Sequence, residues 1–485
     1  MKLSELLRDL NPVEIRGSLD ITIGSPTFDS REIGPGGLYV AVPGTQVDGH
    51  VFIEDVVAMG AHAIVCERLP DRLHQNVTYV RVSRSSAALG QIASNFYGRP
   101  SSCMKLVGVT GTNGKTSTVT LLARMFRALG YNVGLISTIR NEINEAVIPS
   151  THTTPDSLQI NGLMHRMVEA ECSYCFMEVT SHAISQDRTG ALVFAGGVFT
   201  NLTHDHLDYH RTLDAYFAAK KRFFSQLSND AFALSNIDDN RGHLILRDTA
   251  AHKKTYGLES KADFTCRIVE NTSSGLTLEI DGAPVKSMLL GRFNAYNILA
   301  AFGTSILLGA ERSRLLEIIP TLEPIEGRFD FVRSVNGISG IIDFAHTPDG
   351  LQKILSGVNE TKMPGGRLIA VVGCGGDKDK EKRPEMGKIA YDNSDVLILT
   401  SDNPRSEDPL AIIDQMRRDL PSGTGDRVFV ISDRKEAIRE SCRIARSGDT
   451  ILVAGRGHEK FQCIGNEKIP FNDKEVLEES LLTLK

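Results

Sequence analysis

The sequence predicts an α/β fold divided into about three domains, and three observations support this prediction. First, 485 residues exceed what one hydrophobic core usually serves, since domains commonly hold roughly 100–200 residues. Second, short apolar runs alternate with helical stretches, which is typical of a parallel sheet covered by helices. Third, several of these runs end in glycine-rich or polar segments, where open α/β sheets bind their ligands.

We divide the chain into regions 1–100, 101–332 and 333–485. A segment with glycine and proline at 98–102 is typical of a linker between the first two regions. The third region begins where a new series of strand-like runs starts. The predicted strands are 37–42, 61–65 and 77–82 in the first region, 105–109, 174–179 and 197–200 in the second, and 338–343, 368–373, 396–400 and 450–453 in the third.

The composition is that of an ordinary globular protein, with 41% hydrophobic and 24% charged residues. The net charge of −6 provides no overall attraction to nucleic acid or to an anionic membrane. No stretch approaches the roughly 20 apolar residues that span a bilayer, and the N-terminus lacks a secretory apolar segment. We therefore expect a cytoplasmic, soluble monomer with neither a nucleic-acid nor a membrane partner.

The most informative segment is 108–116, which reads G-V-T-G-T-N-G-K-T. An apolar run precedes it, and a helical pattern follows it as far as Gly130, a predicted helix stop. The first amides of such a helix have no partner within the helix, so they attract a phosphate. We expect a nucleoside triphosphate, with Lys115 at the β- and γ-phosphates and the Thr116 hydroxyl on Mg²⁺. The general pattern has glycine where this chain has Val109. The predicted nucleotide-binding residues of this segment are Gly111, Thr112, Asn113, Gly114, Lys115, Thr116 and Ser117.

Two further groups of polar residues follow predicted strands of the second region. Glu178 lies at the end of an apolar run, and a carboxylate there suits Mg²⁺, which prefers oxygen ligands. Residues 200–210 read T-N-L-T-H-D-H-L-D-Y-H, and they include His206. Their spacing matches no zinc motif, so the cluster favours a magnesium–nucleotide site over a zinc hydrolase.

Seven short motifs follow one another along the chain. They are G-T-N-G-K-T, T-T-P-D at 153–156, E-V-T-S-H-A at 178–183, N-L-T-H-D-H-L-D-Y-H at 201–210, Y-F-A-A-K at 216–220, G-R-F-N-A-Y-N at 291–297 and D-F-A-H-T-P-D at 343–349. Taken together, they resemble those of the Mur ligase family over essentially the whole chain. The resemblance implies ATP-dependent amide ligases that lengthen the peptide of cell-wall precursors. It also implies a UDP-binding α/β domain, a central P-loop ATPase-like domain with a parallel sheet, and a C-terminal Rossmann-like domain that binds an amino acid.

The resemblance assigns roles to individual residues. Lys115, Glu178, His206 and Lys220 would be catalytic, and Thr116, Glu178 and His206 would hold Mg²⁺. Lys220 matches a lysine that such enzymes carbamoylate with CO₂ so that it orients Mg²⁺, although it could instead be an ordinary exposed lysine. Asn297, Arg328 and His346 would complete the ATP site. The predicted contacts to UDP-MurNAc-L-Ala-D-Glu are Ser30, Thr45, Gln46 and Val47 for the UDP portion, and Thr153, Thr154, Thr180, Gln186 and Arg188 for the muramoyl dipeptide.

The segment D-N-P-R at 402–405 resembles the motif with which some family members select meso-diaminopimelate. Arg405 offers a planar fork for the second carboxylate of that amino acid, and Glu459 could accept from its distal ammonium group. Lys378 stands where the family often has arginine, which replaces a bidentate contact by a point charge. Phe344 and Phe461 replace commoner tyrosines, and Arg456 replaces a lysine. The predicted amino-acid-binding residues are Lys378, Asp402, Asn403, Pro404, Arg405, Gly455 and Glu459.

The implied reaction activates the D-glutamate carboxylate with ATP as an acyl phosphate, which the amine of diaminopimelate then attacks. The general base for the amine stays open, with His206 and His346 as candidates. Three alternatives also stay open. They are ligation of L-lysine or another diamino acid, a sister activity such as folylpolyglutamate synthesis, and a P-loop ATPase switch without ligase activity. Arg405 and the N-terminal motifs D-S-R and G-T-Q-V-D-G favour the diaminopimelate reaction.

Overall fold

A computed structural model describes residues 1–44, 47–150 and 152–483. Within these residues the strands form sheets of five, eleven and six strands and one two-stranded hairpin. Helices pack on each of the three large sheets, so the α/β prediction is confirmed. No helix in the described ranges is both long enough and apolar enough to cross a bilayer.

The first sheet has the strand order β1-β5-β4-β3-β2, and only β1 runs antiparallel to its neighbour. Its buried residues alternate between two clusters on opposite faces, as expected for a sheet covered on both sides. The elements are β1 (Glu14–Arg16), β2 (Pro26–Thr27), β3 (Leu38–Val40), β4 (Ala63–Cys66) and β5 (Thr78–Arg81), with helices α1 (Leu3–Leu6), α2 (Ile53–Ala58) and α3 (Ser85–Phe96) and short 3₁₀ turns at Ser30–Glu32, Gly49–Phe52 and Pro100–Ser102.

The second sheet has the order β16-β15-β14-β13-β12-β11-β6-β10-β7-β8-β9, which places β6 in its interior. The neighbouring strands β14-β13-β12-β11-β6-β10-β7 pair in parallel, whereas each end of the sheet is an antiparallel meander that the sequence patterns did not predict. The strands are β6 (Lys105–Thr110), β7 (Val133–Ile136), β8 (Arg140–Ile143), β9 (Ala146–Pro149), β10 (Tyr174–Glu178), β11 (Gly196–Phe199), β12 (Phe232–Asn236), β13 (His252–Gly257), β14 (Phe264–Thr272), β15 (Gly275–Ile280) and β16 (Ala283–Ser287). The helices are α4 (Lys115–Ala128), α5 (Ser157–Glu169), α6 (Ser181–Ser185), α7 (Leu207–His210), α8 (Leu213–Ser225), α9 (Gly242–Ile245), α10 (Arg292–Leu307) and α11 (Arg312–Ile318), followed by a 3₁₀ turn at Ile319–Thr321.

Helix α4 begins and ends where the sequence predicts. Gly114 precedes its first residue with φ +85°, and Gly130 follows its last turn with φ +91°, both in the left-handed region that glycine tolerates. Val109 is still part of β6, fully buried and paired with Glu178 on one side and Val198 on the other. A strand interior favours valine over glycine, which explains the departure from the general phosphate-loop pattern.

The third sheet has the order β17-β18-β22-β19-β20-β21 and is parallel except for β17. Two apolar clusters cover its two faces, as in doubly wound folds. Strand β17 crosses the predicted boundary between 332 and 333 and pairs with this sheet. The elements are β17 (Asp330–Arg333), β18 (Ser339–Asp343), β19 (Leu368–Val372), β20 (Val396–Leu399), β21 (Val428–Val430), β22 (Thr450–Ala454), the hairpin β23 (Phe461–Ile464) and β24 (Glu467–Pro470), a 3₁₀ turn at Gly425–Arg427, and helices α12 (Pro348–Thr361), α13 (Lys382–Asn393), α14 (Pro409–Arg417), α15 (Arg434–Ile444) and α16 (Asp473–Thr483).

One buried carboxylate joins the first region to two parts of the second. Asp187 is 2% exposed and lies in the turn after α6 with φ +55°. It accepts a hydrogen bond from Ser86 Oγ on α3 (2.7 Å) and pairs with Arg84, which precedes that helix. It also pairs with Arg222 on α8. The turn after α6, helix α8 and the first region therefore meet at a single side chain.

Candidate active site

The predicted residues of the second region gather at the carboxyl ends of β6, β10 and β11, which we call the central edge. The loop between β6 and α4 lies against the residues after β11. The backbone N–H of Thr112 donates to the Asn201 carbonyl (2.8 Å), and that of Asn113 donates to Asn201 Oδ1 (2.9 Å). These two amides are therefore engaged within the protein. The first amides of α4, which start at Lys115, are the ones that helix geometry leaves for an anion.

Two lysine amines meet at one carbonyl of this loop. Lys115 Nζ donates to the carbonyls of Gly111 (3.0 Å) and Thr112 (2.8 Å), and Lys220 Nζ donates to that of Gly111 (2.8 Å). Burial lowers the pKa of both amines, and the charge of Lys115 lowers the pKa of Lys220 further. Lys220 is 1% exposed and lies 4.4 Å from the centre of the Tyr216 ring, so it is not the exposed lysine considered as an alternative.

Glu178 provides the carboxylate of the central edge. It is 1% exposed, and its Oε1 accepts a hydrogen bond from the backbone N–H of Thr138 (2.7 Å). Its buried Oε2 has no hydrogen-bond partner in the protein. A buried carboxylate oxygen without a partner is costly, and a divalent cation would satisfy it. The residues present therefore fit Mg²⁺ at this position.

His206 lies beside Asp205 at the same edge. Its Nε2 is 3.3 Å from Asp205 Oδ2, and its ring contacts that of His182 edge-on, with centroids 4.8 Å apart. Burial lowers the pKa of His206, which keeps the imidazole neutral and able to bind a metal. In the described part of the chain no three His, Cys, Asp or Glu side chains form a metal-binding group of their own. The predicted magnesium site also includes Thr116 and Lys220, and neither residue is one of those four types.

Arg328 connects the third region to the phosphate loop. Its Nη2 donates to Thr116 Oγ1 (3.1 Å), and its guanidinium stacks 4.4 Å from the centre of the Phe344 ring. The Asn113 side chain makes a second connection by donating to Asp349 Oδ2 on α12 (2.8 Å). The predicted nucleotide residues are therefore held together by both regions.

A cleft of about 440 Å³ opens beside this contact and holds the remaining predicted nucleotide residues. Asn297 Oδ1 lies where a Cβ on Gly114 would come within 2.6 Å, so the loop packs closely on α10. His346 is anchored by its Nδ1 to the Phe344 carbonyl (2.8 Å), and burial and Lys382 lower its pKa to about 4. Sequence reasoning missed several residues of this cleft, among them Asp238, Phe293, Tyr296 and Lys353.

The predicted dipeptide residues form one continuous network beneath Glu178. Arg188 donates to the Thr154 carbonyl (2.7 Å) and to Gln186 Oε1 (2.6 Å). Thr154 Oγ1 donates to the Glu178 carbonyl (2.8 Å) and accepts from the Thr180 N–H (3.1 Å). The structure thus brings these residues together next to the central edge. Thr153 completes the group, since its Oγ1 accepts from Thr138 Oγ1 (3.1 Å).

The predicted UDP-binding residues lie on loops of the first sheet. Ser30 begins a 3₁₀ turn after β2, and Val47 is 55% exposed in the loop after β3. Thr45 and Gln46 lie outside the described residues. The neighbouring His50 is fixed, because its Nδ1 is 2.6 Å from Asp48 Oδ1 and its Nε2 accepts from the Glu67 N–H (2.8 Å).

The predicted amino-acid-binding residues lie on three loops at the carboxyl ends of β19, β20 and β22, which we call the C-terminal edge. Arg405 Nη1 donates to the Gly376 carbonyl (2.7 Å), which joins the first two loops. Asn403 Nδ2 donates to Glu459 Oε2 (2.7 Å), which joins the second to the third. Burial raises the pKa of Glu459, and the neighbouring Asp402 raises it further.

Glycines allow these loops to approach one another. A Cβ on Gly455, where φ is +119°, would lie 2.5 Å from Asp402 Oδ2, and a Cβ on Gly376 would lie 1.8 Å from the Pro404 carbonyl oxygen. Lys378 is exposed on the first loop. All seven predicted residues are therefore on one edge, with Arg405 and Glu459 on neighbouring loops.

Three family models match successive parts of the chain. They describe the Mur ligase family catalytic domain at residues 23–97, the Mur ligase middle domain at 109–305, and the Mur ligase glutamate ligase domain at 327–457. The chain belongs to the Mur ligase family.

Relatives of this Mur ligase match it from end to end. A protein of Phocaeicola vulgatus is 48% identical over 98% of this chain and 99% of its own, and one of Cytophaga hutchinsonii is 47% identical over 100% of both. Both are named UDP-N-acetylmuramoyl-L-alanyl-D-glutamate–2,6-diaminopimelate ligase. A solved structure with the same name is 29% identical, covers 99% of this chain and 98% of its own, and superposes with a TM-score of 0.69.

Three departures of this Mur ligase from the family motifs, at positions 344, 456 and 461, can be explained by their contacts. The Phe344 ring touches Arg328, His346 and His458. Arg456 is fully buried and donates to the carbonyl of Phe461 (2.7 Å), whose ring is 51% exposed. Phe344 thus contributes ring contacts and Phe461 a backbone carbonyl, neither of which needs a tyrosine hydroxyl.

Proposed function

We propose that this Mur ligase joins meso-2,6-diaminopimelate to the D-glutamate of UDP-N-acetylmuramoyl-L-alanyl-D-glutamate at the expense of ATP. The observation that carries this proposal is the full-length identity of 47 to 48% to ligases with that name. The two edges support it independently, because one has the features of a phosphate site and the other places a guanidinium and a carboxylate on adjacent loops. Because ATP and nucleotide-linked sugars are cytoplasmic compounds, the reaction would take place in the cytoplasm, and we expect a monomer to perform it.

ATP would bind with its phosphates at the start of α4 and its nucleoside in the adjoining cleft. Lys115 would leave the loop carbonyls for the β- and γ-phosphates, and Arg328, which stacks on Phe344 of the third region, would reach them from beside Thr116. Thr116, Glu178 and His206 would hold Mg²⁺, which supplies charge neutralisation for the phosphates. The loop amides of Thr112 and Asn113 would act indirectly, by fixing the loop to Asn201.

The γ-carboxylate of D-glutamate would attack the γ-phosphorus of ATP, which forms an acyl phosphate and releases ADP. Lys115 would stabilise the charge that spreads over the transferring group, and Arg188 and Thr154 would position the dipeptide. The amine of diaminopimelate would then attack the acyl carbon, and the tetrahedral intermediate would collapse with loss of phosphate. Contacts such as Asn113 to Asp349 hold the two regions together and would limit the entry of water to the acyl phosphate.

Selection of the amine would take place at the C-terminal edge. The Arg405 guanidinium suits bidentate capture of the distal carboxylate, and Glu459 on the neighbouring loop would accept from the distal ammonium group. L-lysine lacks that carboxylate, so it would leave the Arg405 fork without a partner.

Lys220 fits the proposed carbamoylation. CO₂ reacts with a neutral amine, and the buried position of Lys220 beside Lys115 lowers its pKa and so favours that form. The resulting carbamate would carry a negative charge between Lys115 and the magnesium ligands, where it would offset the excess of positive charge.

Phosphate release with UDP-N-acetylmuramoyl-L-alanyl-D-glutamate, ATP, Mg²⁺ and a panel of amino acids tests the proposal. We expect release that requires both the dipeptide substrate and meso-diaminopimelate, with a product that is one diaminopimelate heavier. Equal release with L-lysine would contradict the selectivity. Release that needs neither the dipeptide nor an amino acid would replace the ligase with an ATPase switch.

A further inference from the structure

A fully buried ion pair lies behind the C-terminal edge. Arg434 begins α15 and Asp473 begins α16, and both side chains are 0% exposed. Arg434 Nε and Nη2 each lie 2.8 Å from a different carboxylate oxygen of Asp473, which is a bidentate arrangement. Neither residue belongs to any of the motifs that pointed to the function.

The same guanidinium also binds the ends of two strands. Arg434 Nη1 donates to the Ser401 carbonyl (3.2 Å), and Nη2 donates to the Ala454 carbonyl (3.0 Å). Strands β20 and β22 lie on opposite sides of β19 and do not pair with each other. Arg434 therefore links the chain just beyond β20 to the end of β22 across the end of β19.

The carbonyls that Arg434 holds immediately precede the residues expected to select the amine. Asp402 follows Ser401 and opens the loop that contains Arg405, and Gly455 follows Ala454 and opens the loop that contains Glu459. The distal carboxylate and the distal ammonium group of a diamino acid would be bound from these two different loops. The fit to one diamino acid thus depends on the spacing that Arg434 imposes.

We propose that Arg434, held by Asp473, is a positioning residue that sets amine specificity by fixing the spacing of the loops at 402–405 and 455–459. This inference rests on the proposed function. Arg434 itself would not contact any substrate. Its effect passes through backbone carbonyls to the binding of the second amino-acid end, and the phosphate chemistry at the central edge does not depend on it.

The test compares Arg434→Lys with Arg367→Lys, a matched control at the opposite end of the same sheet. Arg367 pairs with buried Asp449 (2.6 Å) and donates to the Ile444 carbonyl (2.8 Å), but it lies before β19, at the amino ends of the strands. A lysine can keep the charge at either position, yet it cannot keep every hydrogen bond of the guanidinium. Arg367→Lys weakens a bond to a carboxylate and to one carbonyl, whereas Arg434→Lys also breaks the link between the two loops.

For Arg434→Lys we expect the KM for diaminopimelate to rise about 10-fold and its preference over L-lysine to fall by a similar factor. The kcat and the KM values for ATP and the dipeptide substrate should stay within about twofold, as should every constant of Arg367→Lys. Asp473→Asn keeps one acceptor oxygen for Arg434 and is the second variant, with calorimetric binding of diaminopimelate as a readout that does not need turnover.

Three results would overturn the inference. They are an unchanged diaminopimelate KM in Arg434→Lys, a parallel rise of all three KM values, and an equal effect of Arg367→Lys. In each of these cases the wild-type enzyme still releases phosphate with diaminopimelate, so the proposed function stands. A wild-type enzyme without diaminopimelate-dependent release would overturn both.

Discussion

The central edge and the C-terminal edge differ in how their buried charges are balanced. At the central edge two lysine amines share the Gly111 carbonyl, and Glu178 Oε2 has no partner in the protein. At the C-terminal edge the buried pair Arg434 and Asp473 is bidentate and also binds two strand ends. The first arrangement suits ligands that bring their own charge, namely phosphates and a cation. The second suits a ligand whose two charged ends are recognised by protein groups held at a fixed spacing.

If the central edge works by supplying charge, removing Lys115 should have the largest effect. We expect Lys115→Met to lower kcat/KM about 10³-fold, because the phosphates and the transferring group lose their nearest cation. Phosphate release under saturating diaminopimelate measures this. Lys105→Met, at the exposed start of β6, is the control and should change kcat/KM less than about twofold. If Lys105→Met lowered kcat/KM as much as Lys115→Met does, the loss would reflect damage to the fold and not a role of Lys115 at the phosphates.

The charge balance of the central edge also depends on Lys220. We expect Lys220→Ala to lower kcat about 10- to 100-fold, the range for residues that orient a metal ligand set, with partial recovery in acetate. Native mass spectrometry of the wild type should reveal a CO₂ adduct that disappears after bicarbonate depletion, together with activity. Lys221→Ala is the control, since its pair with Asp248 lies at the surface. An unmodified, fully active wild type would contradict the carbamate.

At the C-terminal edge we expect a smaller effect, which is confined to the binding of the amino acid. Arg405→Lys should raise the KM for diaminopimelate about 10-fold because a bidentate contact becomes a single one. The KM for ATP should stay constant. Arg418→Lys, an exposed residue after α14, provides the control. A rise in the ATP KM equal to that for diaminopimelate would mean that the two edges are not independent.

The smallest effect concerns pH and His346, whose pKa of about 4 lies below the ordinary 6.5 because of burial and Lys382. Between these values the unfolded chain binds a proton that the folded chain does not, so stability is complete above pH 6.5 and falls as the pH falls toward 4. From about pH 6 to about pH 5, the unfolding free energy of the wild type should fall about 1 kcal/mol more than that of His346→Gln. Urea titrations measure it, with His165→Gln on α5, whose side chain is 45% exposed, as the control. Equal slopes for the wild type and His346→Gln would contradict the lowered pKa.

The sequence predicted the α/β class, the strand–loop–helix unit around Lys115 and the parallel strands at the centre of the second sheet. These follow from local patterns, namely apolar runs, glycine positions and helical spacing. The antiparallel meanders at the ends of the second sheet were missed because several of their strands, β9, β14 and β16, are largely exposed and give no continuous apolar run.

The candidate site was predictable only where a motif placed functional residues at strand ends. Tyr296 lies inside a recognised motif, yet its position in the nucleotide cleft depends on how α10 packs. The amides of Thr112 and Asn113 are bound by Asn201, which lies almost ninety positions further along the chain. Arg434 carried no signal at all, because its partners Ser401, Ala454 and Asp473 meet it only in the folded chain. Contacts of that separation are set by topology, which local patterns do not encode.

The junction at Asp187 has a consequence for sequence variation. One carboxylate there balances two arginines, Arg84 from the first region and Arg222 from the second. Loss of the buried Asp187 carboxylate would leave the two arginines facing each other without their shared acceptor, and a change at an arginine position could relieve that repulsion. We therefore expect substitutions at positions 84, 187 and 222 to be correlated among relatives. The contact between the first and second regions would then be conserved or changed at all three positions together.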